Sequence, residues 1–229
     1  MAASFALSNP LPFKIILASA SPRRTEILQT MGLKLNEHFT VQVSPFDEDT
    51  FQNTFDKKSC KPEEYVMLSA KNKAEALVAQ IIKKNELASP SLIIGADTVV
   101  DLGGEILEKP IHESVAKEQL TLMSGNIHKV HTGVSMILVM SATSDTNNKS
   151  INFACSTDVH FATLNASDID GYVATKEPLD KAGSYGIQGI GGQFVNKIDG
   201  DFYTVMGLPM NRVSKEIAKF SAHSINNQN

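Results

Sequence analysis

Phe13-Lys14-Ile15-Ile16-Leu17-Ala18-Ser19-Ala20-Ser21-Pro22-Arg23-Arg24-Thr25-Glu26-Ile27-Leu28-Gln29-Thr30-Met31-Gly32 changes its hydrophobic period midway, and that change points to the fold class. Residues 13–18 form a short apolar run rich in β-branched side chains, which reads as a buried strand. Ile27, Leu28 and Met31 then recur at helical spacing, and Gly32 follows as a C-terminal stop. Between them lies a tight loop, with Ser21 as N-cap and Pro22 as first helical residue.

The same alternation continues along the chain. Residues 62–85 carry the longest helical pattern, with a proline near the start, Glu63 and Glu64 in the first turn and Lys83 and Lys84 in the last. Its apolar face includes Val66, Ala70, Ala74, Leu77, Ile81 and Ile82. Residues 91–100 read as another buried strand, and Gly103-Gly104 before Glu105-Ile106-Leu107 signals a hairpin. A helix at 114–123, ended by Gly125, precedes two long β patterns at 128–140 and 151–164. Ser167 and Asp170 suggest a capping box for a short helix. Residues 176–192 read as a loop dense in Gly and polar groups, and a terminal helix covers 209–220. Strands and helices interleave with hairpins as well as crossovers, so the fold class is α/β, a mixed central sheet flanked by helices in a single domain.

The 229 residues are enough to bury a core, and 42% hydrophobic content excludes disorder. The net charge of -4 leaves no electrostatic footprint for nucleic acid or an anionic membrane face, and no apolar run reaches the roughly 18 residues of a membrane span. Cys60 and Cys155 are far apart without a metal-ligand pattern, which fits reduced thiols. No secretory or transit segment is recognised at the N-terminus, so the expected location is cytoplasmic. The 21 basic residues comprise 18 Lys and only three Arg, and two of those, Arg23 and Arg24, are adjacent.

Arg23 and Arg24 fall in the first helical turn, where each opposes the helix dipole at a cost of about 0.3–1 kcal/mol when exposed. An anionic ligand at that helix start would offset it, and the Ser hydroxyls, free N–H groups and guanidinium forks suit phosphate. The plainer alternative is a solvated helix start that tolerates two arginines. Asp97, in Gly95-Ala96-Asp97-Thr98, is a carboxylate within or at the end of an apolar strand and a candidate general base or metal ligand, with Thr98 beside the ligand. A carboxylate satisfied by turn N–H groups is the alternative. Glu48 is a possible second oxygen ligand for a divalent cation, although an acidic cluster is more often a solvated loop. Lys73 and Lys109 could reach phosphate, or be ordinary surface lysines. Gln188, in a Gly-rich segment that neither follows a strand nor opens a helix, could read a base edge or be a plain loop amide. His128 and His131 point to opposite strand faces and do not pair as metal ligands.

Six separated motifs, ILASASPRRTEIL, GADTVV, LEKP, SGNIHKVHTGV, EPLDKAGSYGIQGIGG and MGLP, occur in one order over about residues 13–220. Together they resemble the Maf-like nucleoside triphosphate pyrophosphatases. The resemblance implies an elongated, two-lobed fold related to the inosine triphosphate pyrophosphatases, a cleft between the lobes, and a divalent metal, Mg²⁺ or Mn²⁺. It implies hydrolysis of the α–β phosphoanhydride to a monophosphate and pyrophosphate, with Asp97 as proton acceptor. Ser19, Arg23, Arg24, Lys73 and Lys109 match substrate-binding positions, and Glu48 with Asp97 the metal positions. Arg24, Thr98 and Gln188 match the specificity positions of the dTTP/UTP branch, with CTP and modified pyrimidine nucleotides as further candidates. A homodimer is the implied assembly, and no catalytic role is expected for the extra N-terminal residues or the insertion at 141–150. A non-catalytic nucleotide-binding regulator of cell division is the rival reading, because a cleft can bind without turning over.

Overall fold

The structure is a computed structural model that describes residues 11–87, 90–141 and 148–226; the extra N-terminal residues and most of the 141–150 insertion lie outside them. The opening alternation forms β1 (Lys14–Leu17) and α1 (Pro22–Thr30), with Ser21 at the N-cap position and Pro22 at N1, although the Ser21 side chain makes no capping bond. The long helical pattern is α3 (Pro62–Lys84), closed by Asn85 in the left-handed conformation. The strand pattern and hairpin that follow are β3 (Ser91–Leu102) and β4 (Glu105–Leu107). Then come α4 (Glu113–Met123), the antiparallel pair β5 (Ile127–Val139) and β6 (Lys149–Phe161), and the last helix α7 (Met210–Asn226).

Several elements differ from the sequence reading. The acidic run at 47–49 is no open loop: Asp47 accepts from the Thr50 N–H at 3.0 Å and starts α2 (Glu48–Thr54). The short strands β2 (Phe39–Val41) and β7 (Val195–Asp199) and the five-residue α6 (Phe202–Met206) lack a periodic signature of their own. The capping box of α5 (Ala166–Ala174) is Asn165 with Asp168, each side chain bonded to the other's backbone N–H, and the expected Ser167–Asp170 pair lies inside the helix. The 176–192 loop winds through three 3₁₀ turns, Glu177–Asp180, Ala182–Ser184 and Ile190–Phe194.

The sheet is mixed, in the order β2-β1-β3-β5-β6-β7, with β1 parallel to β2 and β3 and the remaining pairs antiparallel. β5 pairs with β3 from Ser91 to Asp101 along one edge. The opposite edge is shared: β1 pairs with residues 91–94 and β4 with residues 100–102. Residues 95–99 of β3 are therefore left without a strand partner on that side. This gap corrects the expectation that Asp97 could end a strand. Asp97 sits mid-strand, three residues beyond the last β1 partner, where the diverging β1 opens a crevice.

Helix α3 lies directly on the sheet opposite this gap. A Cβ on Gly133 would fall 2.3 Å from the Val66 carbonyl carbon and oxygen, so the helix–sheet approach requires glycine there. Two large apolar clusters flank the gap. One gathers β1, α1, α7 and the start of β3; the other gathers α4, α5, the far half of β3 and the 3₁₀ segment; Ile187 packs against both.

Candidate active site

A cleft of about 290 Å³ runs along the unpaired edge of β3. Met206 from the first apolar cluster and Val100, Val130 and Tyr185 from the second line its sides. Successive strand residues face opposite sides of a sheet, so Asp97 points toward α3 and Thr98 away from it. Both line the cleft because it wraps around the free edge. Ser19, Arg23, Arg24, Glu48, Lys73, Lys109 and Gln188 line it as well, so all the residues proposed from sequence converge on one space.

Lys73 is no surface lysine. It is 7% exposed, and α3 delivers its Nζ to Asp97 Oδ1 at 2.8 Å and Glu48 Oε1 at 2.9 Å. Burial pushes the Asp97 carboxyl up, but the Lys73 ammonium, its hydrogen bond and the Arg24 guanidinium outweigh that and hold it below the ordinary carboxylate value. Asp97 is therefore ionised at neutral pH. Lys109 stands at the mouth, more than half exposed, 4.0 Å from Glu48.

The convergence of two carboxylates on one cationic point tests the implied metal. Glu48 and Asp97 offer hard oxygen donors around the single position of Lys73 Nζ, a donor chemistry that fits Mg²⁺ or Mn²⁺. Among the described residues no group of three His, Cys, Asp or Glu side chains could hold a metal by itself. Phosphate oxygens and water would complete such a shell, the usual arrangement for Mg²⁺ at phosphate sites. His128 and His131 do not line the cleft: His128 bonds Tyr185 at 2.9 Å, with burial pushing it down to about 4, and His131 bonds Ser156 at 2.7 Å. Cys60 and Cys155 are free thiols, both pushed up by burial.

The two arginines find their partners within the protein. Arg23 donates to Asp180 Oδ2 at 2.9 Å and to the Asp180 carbonyl at 3.2 Å, so its fork is engaged by an acidic residue at the cleft mouth. Arg24 donates through Nε to the Gly207 carbonyl at 2.8 Å, through Nη1 to Ser19 at 2.9 Å and through Nη2 to Thr98 at 3.2 Å. Two of its five N–H groups remain for a ligand. Burial lowers the Arg24 pKa, partly countered by Asp97 and Glu48, from a value so high that the charge is retained.

Sequence reasoning missed the groups that brace these residues. Glu177 accepts from the Tyr172 hydroxyl at 2.9 Å and from the N–H groups of Ile190 and Gly191 at 3.0 and 3.2 Å, which ties down the turn carrying Gln188. A Cβ on Gly189 would fall 2.6 Å from Glu177 Oε1, so the turn closes on the carboxylate only with glycine there. The available signal was two acidic residues, Glu177 and Asp180, placed in an otherwise Gly-rich polar loop. The Gly207 carbonyl lies in the closing MGLP motif, and Thr132 in SGNIHKVHTGV, but nothing local marks either as a site group.

A family model described as Maf-like protein matches residues 14–220, which span both walls of the cleft. The chain belongs to the Maf-like protein family. It is 43% identical over 203 residues to a dTTP/UTP pyrophosphatase of Clostridium novyi (strain NT), covering 88% of this chain and 95% of that protein. It is 43% identical over 208 residues to dTTP/UTP pyrophosphatases of Bacillus cereus (strain AH820), with 91% and 96% covered, and of Clostridium perfringens (strain SM101 / Type A), with 90% and 97% covered. Among the described residues of this Maf-like chain, no helix is long and apolar enough to cross a membrane.

Proposed function

We propose that this chain is a nucleoside triphosphate pyrophosphatase that hydrolyses dTTP and UTP to the monophosphate and pyrophosphate. The observation that carries this reading is a buried Asp97 bonded to Lys73 Nζ at 2.8 Å in a cleft that Ser19, Arg23, Arg24 and Lys109 also line. A carboxylate there can accept a proton from water while the surrounding cations neutralise charge developing on the phosphates. Ser19, Arg24 and Lys109 reach the triphosphate, and Arg23 joins them on exchanging Asp180 for a phosphate oxygen. Lys73 keeps Asp97 deprotonated and oriented. Glu48 and Asp97 would hold a divalent cation, which when bound supplies further polarisation of the scissile phosphate. Gln188 and Thr98 stand beside the base. In this reading the chain is a single domain with its core at about residues 13–220 and its cleft between two lobes, cytoplasmic, on a small-molecule substrate without nucleic-acid or membrane partners, with a homodimer as the assembly to test.

The relatives' names favour turnover over a purely regulatory nucleotide-binding role. Incubation with dTTP or UTP and Mg²⁺ or Mn²⁺, with pyrophosphate assayed against orthophosphate, tests the reading. The wild type releases pyrophosphate, and Asp97→Asn turns over at least about 100-fold more slowly while still binding nucleotide. Absence of any product from the wild type favours the regulator, orthophosphate alone favours a phosphatase, and full activity in Asp97→Asn removes Asp97 from the chemistry.

A further inference from the structure

The hydroxyl hydrogens around Arg24 can be assigned one by one, and the assignment gives the cleft a fixed polarity. Thr132, fully buried on β5, lies 2.7 Å from the Thr204 carbonyl oxygen, which can only accept, so its single hydrogen is directed there. In the 2.9 Å contact between Thr132 and Thr98, Thr132 is therefore the acceptor and Thr98 the donor. Arg24 Nη2 donates to the same Thr98 oxygen at 3.2 Å. Thr98 thus turns its hydrogen into the protein and keeps one lone pair for the cleft. Ser19 is its opposite. Its oxygen accepts from Arg24 Nη1 at 2.9 Å and from the Ser21 N–H at 3.2 Å, which fills both lone pairs, and its own O–H has no acceptor among the described residues.

Two hydroxyls on one guanidinium therefore present opposite characters: Ser19 only donates and Thr98 only accepts. A donor suits a phosphate oxygen, whereas an acceptor requires a ligand N–H or O–H. We propose that Thr132 is a positioning residue that locks Thr98 as an acceptor and thereby selects pyrimidine rings bearing an N–H at the ring edge. Thymine and uracil carry that imide N–H; the corresponding cytosine nitrogen is itself an acceptor. An acceptor facing an acceptor leaves two desolvated lone pairs without a hydrogen, which disfavours cytosine roughly ten- to a hundredfold. This inference rests on the pyrophosphatase reading and deepens it, by naming what ranks UTP and dTTP above CTP.

The test compares kcat/KM for UTP and CTP in wild type, Thr132→Val and Thr132→Ser. Valine has the shape of threonine but accepts nothing, so the Thr98 hydrogen is free to turn into the cleft and serve the cytosine nitrogen. The UTP:CTP ratio is expected to fall by about tenfold in Thr132→Val, with CTP turnover rising, and to be retained in Thr132→Ser. A merely structural role would lower both substrates together and leave the ratio unchanged. Two analogues on the wild type identify the donor without any variant: N3-methyl-UTP, which lacks the ring N–H, should react as poorly as CTP, and dUTP, which lacks the 2′-hydroxyl, as well as UTP. An unchanged ratio in folded Thr132→Val, good turnover of N3-methyl-UTP, or selective loss with dUTP overturns the proposal while leaving the pyrophosphatase reading intact. A wild type that releases no pyrophosphate from any triphosphate overturns both.

Discussion

Replacing Glu177 with Ala should loosen the turn that carries Gln188 without touching Asp97. The wild-type carboxylate accepts three hydrogen bonds, from Tyr172, Ile190 and Gly191. Bonds to a charged acceptor contribute about 1.5–3 kcal/mol each, but water replaces part of this for the backbone N–H groups of a partly exposed turn. The net local loss is then about 2–3 kcal/mol, and at 1.4 kcal/mol per tenfold the amides of Ile190 and Gly191 should exchange roughly 30- to 150-fold faster. Because substrate must then order the turn, KM for UTP rises while kcat changes little. Glu177 also sets a pH dependence. Burial pushes its carboxyl up, but the two N–H groups, the Tyr172 hydroxyl and Lys181 outweigh that and lower it from the ordinary 4.5. A carboxyl lowered in the folded state contributes stability that is complete above the ordinary value and is lost as pH falls through the lowered one. Wild-type protection of the turn should therefore be flat from neutral pH to about 5 and decline only in stronger acid, a decline absent from Glu177→Ala. Hydrogen–deuterium exchange over residues 186–194, read beside steady-state kinetics, measures both. Unchanged exchange and an unchanged KM in Glu177→Ala would refute the reasoning.

Lys73→Met should strand the buried Asp97 carboxylate. Removing one partner of a buried pair costs about 3–5 kcal/mol, and the low end applies because Arg24 remains nearby and Glu48 can turn to water. Urea unfolding at neutral pH measures the loss, and adding Asp97→Asn should recover most of it; simple additivity of the two losses would contradict the pairing. Gly133→Ala drives a Cβ into the Val66 carbonyl, which belongs to a helix backbone and cannot turn aside. A destabilisation of about 2–3 kcal/mol, seen as a Tm lower by roughly 5–10 °C, is expected, and a shift under about 2 °C would show that α3 can lift without penalty.

What the chain order alone determined was the elements with a strong local period, whereas weaker local signals such as the Asp47 and Asn165 caps were read only from the structure. The 13–32 stretch announces a strand, a loop and a helix because its apolar spacing switches from strand to helix within a few residues. The 62–85 helix and the 103–104 turn carry their own start, stop and turn signals. Ser19, Asp97 and Gln188 could be singled out because hydroxyls and N–H groups at a helix start suit phosphate, a carboxylate in an apolar strand needs a partner, and an amide in a Gly-rich loop could read a base edge. Short edge strands such as Phe39–Val41 and Val195–Asp199 were not legible, since a three- or five-residue strand is made by its neighbours' free edge rather than by a period of its own.

The tertiary structure decided the rest. Lys71 and Lys73 differ little in local sequence, yet only Lys73 faces the sheet where α3 crosses Asp97, so only Lys73 is buried and doubly paired. Arg23 meets its counter-charge in Asp180, 157 positions away. The direction of the Thr98 hydroxyl is set by Thr132 and, through it, by a carbonyl at residue 204. A side chain's composition is local, but its charge state, burial and hydrogen-bond polarity belong to whatever distant backbone the fold places against it.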